Sequence, residues 1–253
     1  MHNKLKATIG SVALVILAGC GGGGGGSPAA TPPPATTAEG LWSGTTSDFR
    51  TMTGVVLNSG AFWVIYSSPN NSATVGGLIE GTGASLNGNF SSSDAKDFSM
   101  EGTGIVGATM SSSYVAKQTL NGSISYPTLN QVSTFVSTYN TAYDQTPSLA
   151  TIAGTYTGSV FQVMGTEGAT VTVTSSGTLS GTGGTGCQFT GTVAPDAHGN
   201  VYDLTVTFGG GVCSNGTSTE TGVGYFNAAK KTFYGAALNS ARTNGFIFVG
   251  FLP

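Results

Sequence analysis

Charge is scarce in this chain. Only 8% of its 253 residues are Asp, Glu, Lys or Arg, and there are two histidines. One of these, His2, and two of the eight basic residues, Lys4 and Lys6, sit in the first few positions. From residue 20 onward only Arg50, Lys96, Lys117, Lys230, Lys231 and Arg242 face eleven acids, and they form no basic cluster. Such a chain cannot release counterions from a nucleic-acid backbone, so no nucleic acid is expected as a partner. The lack of Lys and Glu also removes the residues that helix surfaces need.

Reactive chemistry is equally thin. A Ser-His-Asp set would have to use His198 with Asp196 or Asp203, but His198 lies in Pro195-Asp196-Ala197-His198-Gly199-Asn200, a run of turn formers. It reads as an exposed turn residue. This one histidine, with two cysteines expected to be oxidised to each other, excludes the usual zinc sites. The acids are scattered singly, without metal-ligand spacing, so no metal is expected. Asp94, Asp97 and Glu101 form the one local group of acids; without a sign of a cleft they read as solvated surface. Gly181-Thr182-Gly183-Gly184-Thr185-Gly186 lacks the lysine and the following helix of a phosphate loop, and reads as a hairpin turn. No catalytic residue and no cofactor is expected, and the chain reads as not an enzyme.

What is present is Gly, Ser and Thr, with Val, Phe and Tyr on short segments between glycines. That composition suits pleated, half-buried surfaces, so the body is expected to be all-β. The clearest strand is Val201 to Phe208, with Tyr202, Leu204, Val206 and Phe208 on one face and Asp203, Thr205 and Thr207 on the other. Further strands are expected at 187–193, 222–226, 232–238 and 246–252. In the first half they are expected near 40–46, 61–66, 74–80, 86–91, 97–102, 112–116, 120–125 and 133–139. One helical turn is expected between the halves, with Thr146 as cap, Pro147 at its first position and Ser148 to Ile152 completing it.

Two echoes suggest duplication. Gly40-Leu41-Trp42-Ser43-Gly44 opens the first half and Gly154-Thr155-Tyr156-Thr157-Gly158 the second, while Leu120-Asn121-Gly122-Ser123-Ile124 parallels Phe189-Thr190-Gly191-Thr192-Val193. The reading is two antiparallel eight-stranded meander barrels in tandem, over residues 39–140 and 154–253, joined by a linker over 141–153. One larger sandwich or barrel is the alternative. Phe62-Trp63-Val64-Ile65-Tyr66 and Phe246 to Leu252 are apolar on both faces. Contact between the halves explains this most simply; a ligand surface or a membrane-spanning barrel would be other causes.

Residues 1–19 have the pattern of an export signal. Lys4 and Lys6 make a basic start, and the apolar run Ala7 to Leu17 is too short to span a bilayer. Leu17-Ala18-Gly19-Cys20 resembles the lipobox of bacterial lipoproteins, in which the cysteine carries a diacylglycerol and becomes the mature N-terminus. The resemblance makes Cys20 the lipidation site, implies covalent lipid as the sole added group, and makes the membrane a partner through that anchor. Residues 20–38, with Gly21 to Gly26 and Pro32-Pro33-Pro34, then read as a flexible tether spanning roughly 25 Å. Gly21 rather than Asp after the cysteine resembles the outer-membrane signal of enteric bacteria, so the outer membrane is favoured over the inner.

Export to an oxidising compartment leaves Cys187 and Cys213 to pair. With a turn centred near Ala197, Cys187 faces approximately Phe208, and Gly209-Gly210-Gly211 can curl Cys213 back to the same end. The two barrel openings resemble the Gly-x-Trp start of lipocalin-like barrels, in which an Arg near the last strand stacks on the aromatic. That resemblance implies stacking of Arg242 on Tyr156, which stands in the place of the Trp. The whole layout resembles, in architecture only, two-barrel Gram-negative surface lipoproteins such as transferrin-binding protein B and factor H-binding protein. The expected function is a non-catalytic binding lipoprotein of the cell envelope, with a protein or small-molecule ligand. A structural envelope protein and a hydrolase are the alternatives.

Overall fold

The structure is a computed structural model and describes residues 36–253. The leader over 1–19, Cys20 and most of the tether lie outside the described residues. Residues 36–253 form one compact unit whose apolar cores are all internal to it. Among the described residues no helix is long and apolar enough to cross a membrane.

The fold is all-β, with two closed antiparallel eight-stranded barrels. In the first, the strands are β1 (Gly40–Thr46), β2 (Thr51–Val56), β3 (Ala61–Ser68), β4 (Asn71–Thr82), β5 (Ala84–Leu86), β6 (Asn89–Ser99), β7 (Gly104–Val115), β8 (Thr119–Tyr126) and β9 (Gln131–Tyr139). They meander in order, and β1 closes on β9. β4 pairs directly with β6, as Gly77 with Ser99 and Glu80 with Lys96, leaving the short β5 as a flap on β6. In the second barrel, the strands are β10 (Gly154–Gln162), β11 (Gly165–Val173), β12 (Thr178–Gly183), β13 (Gln188–Pro195), β14 (Tyr202–Phe208), β15 (Thr219–Asn227), β16 (Thr232–Leu238) and β17 (Gly245–Phe251). Strand β2 escaped the sequence reading because Thr51-Met52-Thr53-Gly54 mixes polar and small residues on what becomes a half-wet strand. Strand β6 runs straight through residues that read as two strands, with a register shift between Ser92 and Ala95.

The threonines explain themselves on the outside. On the second barrel, the Thr155 and Thr172 hydroxyls meet at 3.0 Å, and those of Thr207 and Thr219 at 2.8 Å. Hydroxyl pairs of this kind on an outer face suit water, unlike the apolar band that a membrane-spanning barrel presents.

The two openings are built alike. Gly40 and Gly154 both adopt φ +153°, a conformation open essentially to glycine. Trp42 and Tyr156, each 1% exposed, plug one end of their barrels and donate to the carbonyl four residues back. Trp42 Nε1 reaches Ala38 O at 3.0 Å, and Tyr156 Oη reaches Ile152 O at 2.7 Å. A Cβ on Gly44 or Gly158 would lie 2.0 Å from a facing carbonyl oxygen, so both glycines let neighbouring strands close tightly. The other echo is not equivalent: Gly122 lies in β8, the seventh strand of its ring, and Gly191 in β13, the fourth of its own.

Between the barrels, Asn140 caps a 3-10 turn over Thr141–Asp144 by accepting from Ala142 N. One helical turn, α1, follows at Leu149–Ile152. Its cap position is Ser148 rather than Thr146, and no side chain satisfies it. Ile152, fully buried, closes the second barrel beneath Tyr156.

The doubly apolar strands lie where the barrels meet. In β3, Phe62, Val64 and Tyr66 enter the first barrel, while Trp63 and Ile65 pack outward on Leu238, Ile247 and Val249. In β17, Phe246 and Phe248 fill the second barrel and Ile247, fully buried, points to the first.

Arg242 belongs to this junction, which corrects the stacking expected of it. Its Nε lies 2.6 Å from Glu80 Oε2, one Nη lies 3.2 Å from Asp94 Oδ2, and the other donates to the Glu80 and Asp94 carbonyls at 3.0 and 2.7 Å. Lys96 Nζ donates back to Arg242 O at 3.0 Å. Tyr156 instead packs against Phe226 and Phe233. The reason is positional: Arg242 sits at φ +52° in the loop after β16, which carries its side chain across to β4 and β6. Arg242→Ala strands the half-buried Glu80 carboxylate and is expected to cost about 2 kcal/mol. A thermal melt checks it, with unfolding of the two barrels losing coincidence.

Candidate functional site

The interiors of the two barrels differ. In the second, Tyr156, Phe189, Phe208, Phe233, Phe246 and Phe248 interlock, with ring centroids 5.7 Å apart for Tyr156 and Phe233 and 5.9 Å for Phe208 and Phe246. The space left is about 40 Å³, with a wholly apolar lining. Cys187 and Cys213 are bonded to each other at the edge of this core, both buried. The pairing register is Phe189 opposite Phe208, two residues from the sequence estimate, and the Gly209–Gly211 bend brings Cys213 back as expected.

In the first barrel the large rings crowd one end. Trp42, Phe62, Phe90 and Tyr114 close it, and Thr36 to Glu39 lie across it, with Tyr114 Oη donating to Thr36 O and Ala38 N to Ser85 Oγ. Further in, the lining is mostly aliphatic, with Met52, Val64, Ile79, Met110 and Ile124 beside Phe135, and Tyr66 and Tyr126 stand nearer the mouth. Together they leave a cavity of about 390 Å³ that opens between the turns after β1, β6 and β8. That volume falls in the range of small-molecule sites.

The charged groups of the lining stand at the open end. Asp97, 6% exposed, accepts from Tyr66 Oη at 2.7 Å and Tyr126 Oη at 2.8 Å, one phenol to each carboxylate oxygen. Above it, Arg50 lies over the Tyr66 ring at 5.1 Å from its centre. Arg50 Nε contacts Asp48 Oδ2 at 2.5 Å, and one Nη contacts Glu101 Oε2 at 2.8 Å and Ser67 O at 3.0 Å. Ser133 Oγ donates to Asp48 Oδ1 at 2.7 Å. Arg50 thus ties the turn after β1 to the turn after β6 across the mouth.

Electrostatics follow from this wiring. Burial raises the Asp97 carboxyl, and the tyrosine hydrogen bonds offset only part of that rise. Burial, then the adjacent Asp97 charge, push Tyr66 and Tyr126 upward, so both phenols keep their protons and donate. For Asp48, burial alone would raise the carboxyl, but hydrogen bonds from Thr46, Ser133 and Arg50 outweigh it and hold it at about 2. Burial lowers Arg50, and its contacts with Asp48 and Glu101 more than restore it.

Sequence reasoning placed Asp97 and Glu101 on a solvated surface; Asp97 is inside the barrel and Glu101 on its rim. A signal lay nearby in Gly76-Gly77. A Cβ on Gly77 would lie 2.3 Å from Tyr66 Oη, and one on Gly76 2.8 Å from an Arg50 Nη, so the two glycines make room for this network. The other sequence candidates stand elsewhere. His198 is an exposed residue of the β13–β14 turn, with Nδ1 3.8 Å from Asp196 Oδ1. Asp94 holds Arg242. Gly184 to Gly186 form a hairpin turn between β12 and β13. Among the described residues no group of three His, Cys, Asp or Glu could hold a metal ion.

No protein-family model matches the chain, and none of the curated proteins is similar to it. Among solved structures, it is similar to a candidate outer membrane protein of Bacteroides fragilis NCTC 9343, at 16% identity and a TM-score of 0.25, over 86% of this chain and 97% of that one. So loose a superposition carries no argument for this chain, whose site is defined by its own geometry.

Proposed function

We propose that this chain is a lipid-anchored protein of the cell envelope whose first barrel binds a small amphipathic molecule without transforming it. The observation that carries this reading is the contrast between one hollow, polar-ended barrel and one packed barrel in the same body. A core that closes fully gains contacts, and an open apolar hollow forgoes them, so the vacancy is a cost that binding would offset. The lipobox-like Leu17-Ala18-Gly19-Cys20 supports the anchor, and its first residue after the cysteine favours the outer membrane. Thr36 to Glu39 cross the closed end, so the described chain enters the first barrel opposite the mouth. The second barrel serves as a rigid support, clamped through Arg242.

The test uses the mature chain without lipid, residues 21–253, which contains the whole compact unit. The neutral fluorophore N-phenylnaphthylamine should bind with a blue shift. Ile124→Phe adds a ring to the cavity wall and should weaken that binding about tenfold or more while leaving the melting temperature unchanged or higher. Absence of probe binding by the unsubstituted chain would favour a purely structural envelope protein.

A further inference from the structure

The mouth of the cavity has a charge balance that a small-molecule binder would use for selection. Three carboxyls, Asp48, Asp97 and Glu101, line it, against one cation, Arg50. Arg50 is already committed to the two rim acids. Asp97, set deeper, has no cationic side chain within ion-pair distance among the described residues; its partners are two phenols, each filling one lone pair of one oxygen. Each oxygen keeps further acceptor capacity toward the cavity, which Asp97 lines. The phenols donate to Asp97 and so have no proton to offer an incoming anion. An anionic head would meet three acids and no free donor from the tyrosines. A cationic head would meet a buried carboxyl and aromatic surface, the usual pair of recognition elements for ammonium groups.

Resting on the reading that the first barrel binds an amphiphile, we infer that its ligand class is cationic: an amine or quaternary ammonium head set against Asp97, with an apolar tail among Val64, Met110 and Ile124. The binding is non-covalent. The tail supplies affinity by leaving water, and the head supplies selection because any other head leaves Asp97 without a counter-charge. Arg50 acts as the resident cation of the rim: it holds Asp48 and Glu101 in place, and the two turns with them, so that the entry stays shaped while Asp97 stays open to the ligand.

The experiment displaces bound N-phenylnaphthylamine from the mature chain without lipid by dodecylamine, dodecanol and dodecanoate at neutral pH. The tails match, so differences report the head. Dodecylamine is expected to displace the probe at about tenfold lower concentration than dodecanol, with dodecanoate weaker than both. Asp97→Asn should bring dodecylamine and dodecanol to equal potency while leaving dodecanol unchanged. Should that variant not fold, Glu101→Gln, at the rim, should reduce the amine preference, read as the ratio of dodecylamine to dodecanol potency. Equal potency of all three heads, or preference for dodecanoate, overturns the cationic assignment and leaves amphiphile binding standing. Failure of the probe itself to bind overturns the amphiphile reading on which this one rests.

Discussion

Cys20→Ala is expected to abolish incorporation of a fatty-acid probe and to move the protein from the membrane fraction, unless its uncleaved leader retains it there. The body needs something to hold it to a bilayer. Among the described residues no helix can span one, and the second barrel carries threonine pairs on its outside. The leader's apolar run, Ala7 to Leu17, is short for a stable span. Covalent acyl chains, by contrast, contribute about 0.8 kcal/mol per buried methylene, and two or more chains suffice for stable anchoring. Probe labelling separates the cases cleanly, since a retained leader carries no acyl group. Labelling that persists in the variant would place the lipid elsewhere or remove it from the account.

Trp42→Ala should be the most damaging substitution within the first barrel, costing about 3–5 kcal/mol in a urea or thermal unfolding experiment. Trp42 is 1% exposed, packs edge-on to Tyr139 at 5.4 Å, and satisfies Ala38 O. Removing the indole opens a void at the end the barrel must close and leaves that carbonyl without its donor. Tyr156→Ala should do the same to the second barrel, because Tyr156 occupies the matching place and bonds to Ile152 O. Tyr156→Phe keeps the ring and loses only the hydrogen bond, so about 1 kcal/mol is expected. Losses below about 1 kcal/mol for both alanine variants would mean that the plugs are incidental to closure.

Much of the fold was legible because strand patterning and glycine placement are local signals. The alternation from Tyr202 to Phe208 needs only the period of a pleated strand, and the structure keeps its two faces. The Gly-x-aromatic-x-Gly openings were legible for the same reason: each glycine answers a local requirement, φ +153° at Gly40 and Gly154, close strand approach at Gly44 and Gly158. The doubly apolar β3 and β17 signalled that something covers their outer faces, and what covers them is the other barrel.

The site was not legible, since it is made by closure. Asp97 becomes an interior residue only because β4 pairs with β6 past the β5 flap, an event between strands that no local pattern records. Tyr66 and Tyr126 reach it from two other strands, 31 and 29 residues away. Nor could composition tell the hollow barrel from the packed one. That difference depends on which phenylalanines point inward at which level. Arg242 failed as a stacking residue for a related reason: its partner is not in its own barrel but across the junction.

The central claim is that the first barrel is a binding chamber and the second is not. The most direct measurement is a crystal structure of residues 21–253 soaked with bromododecane, read from the anomalous scattering of bromine. The account predicts bromine inside the first barrel, near Val64, Met110 and Ile124, and none among the phenylalanines of the second. Bromine confined to the second barrel or to the groove between the two, with the first chamber collapsed, would contradict it.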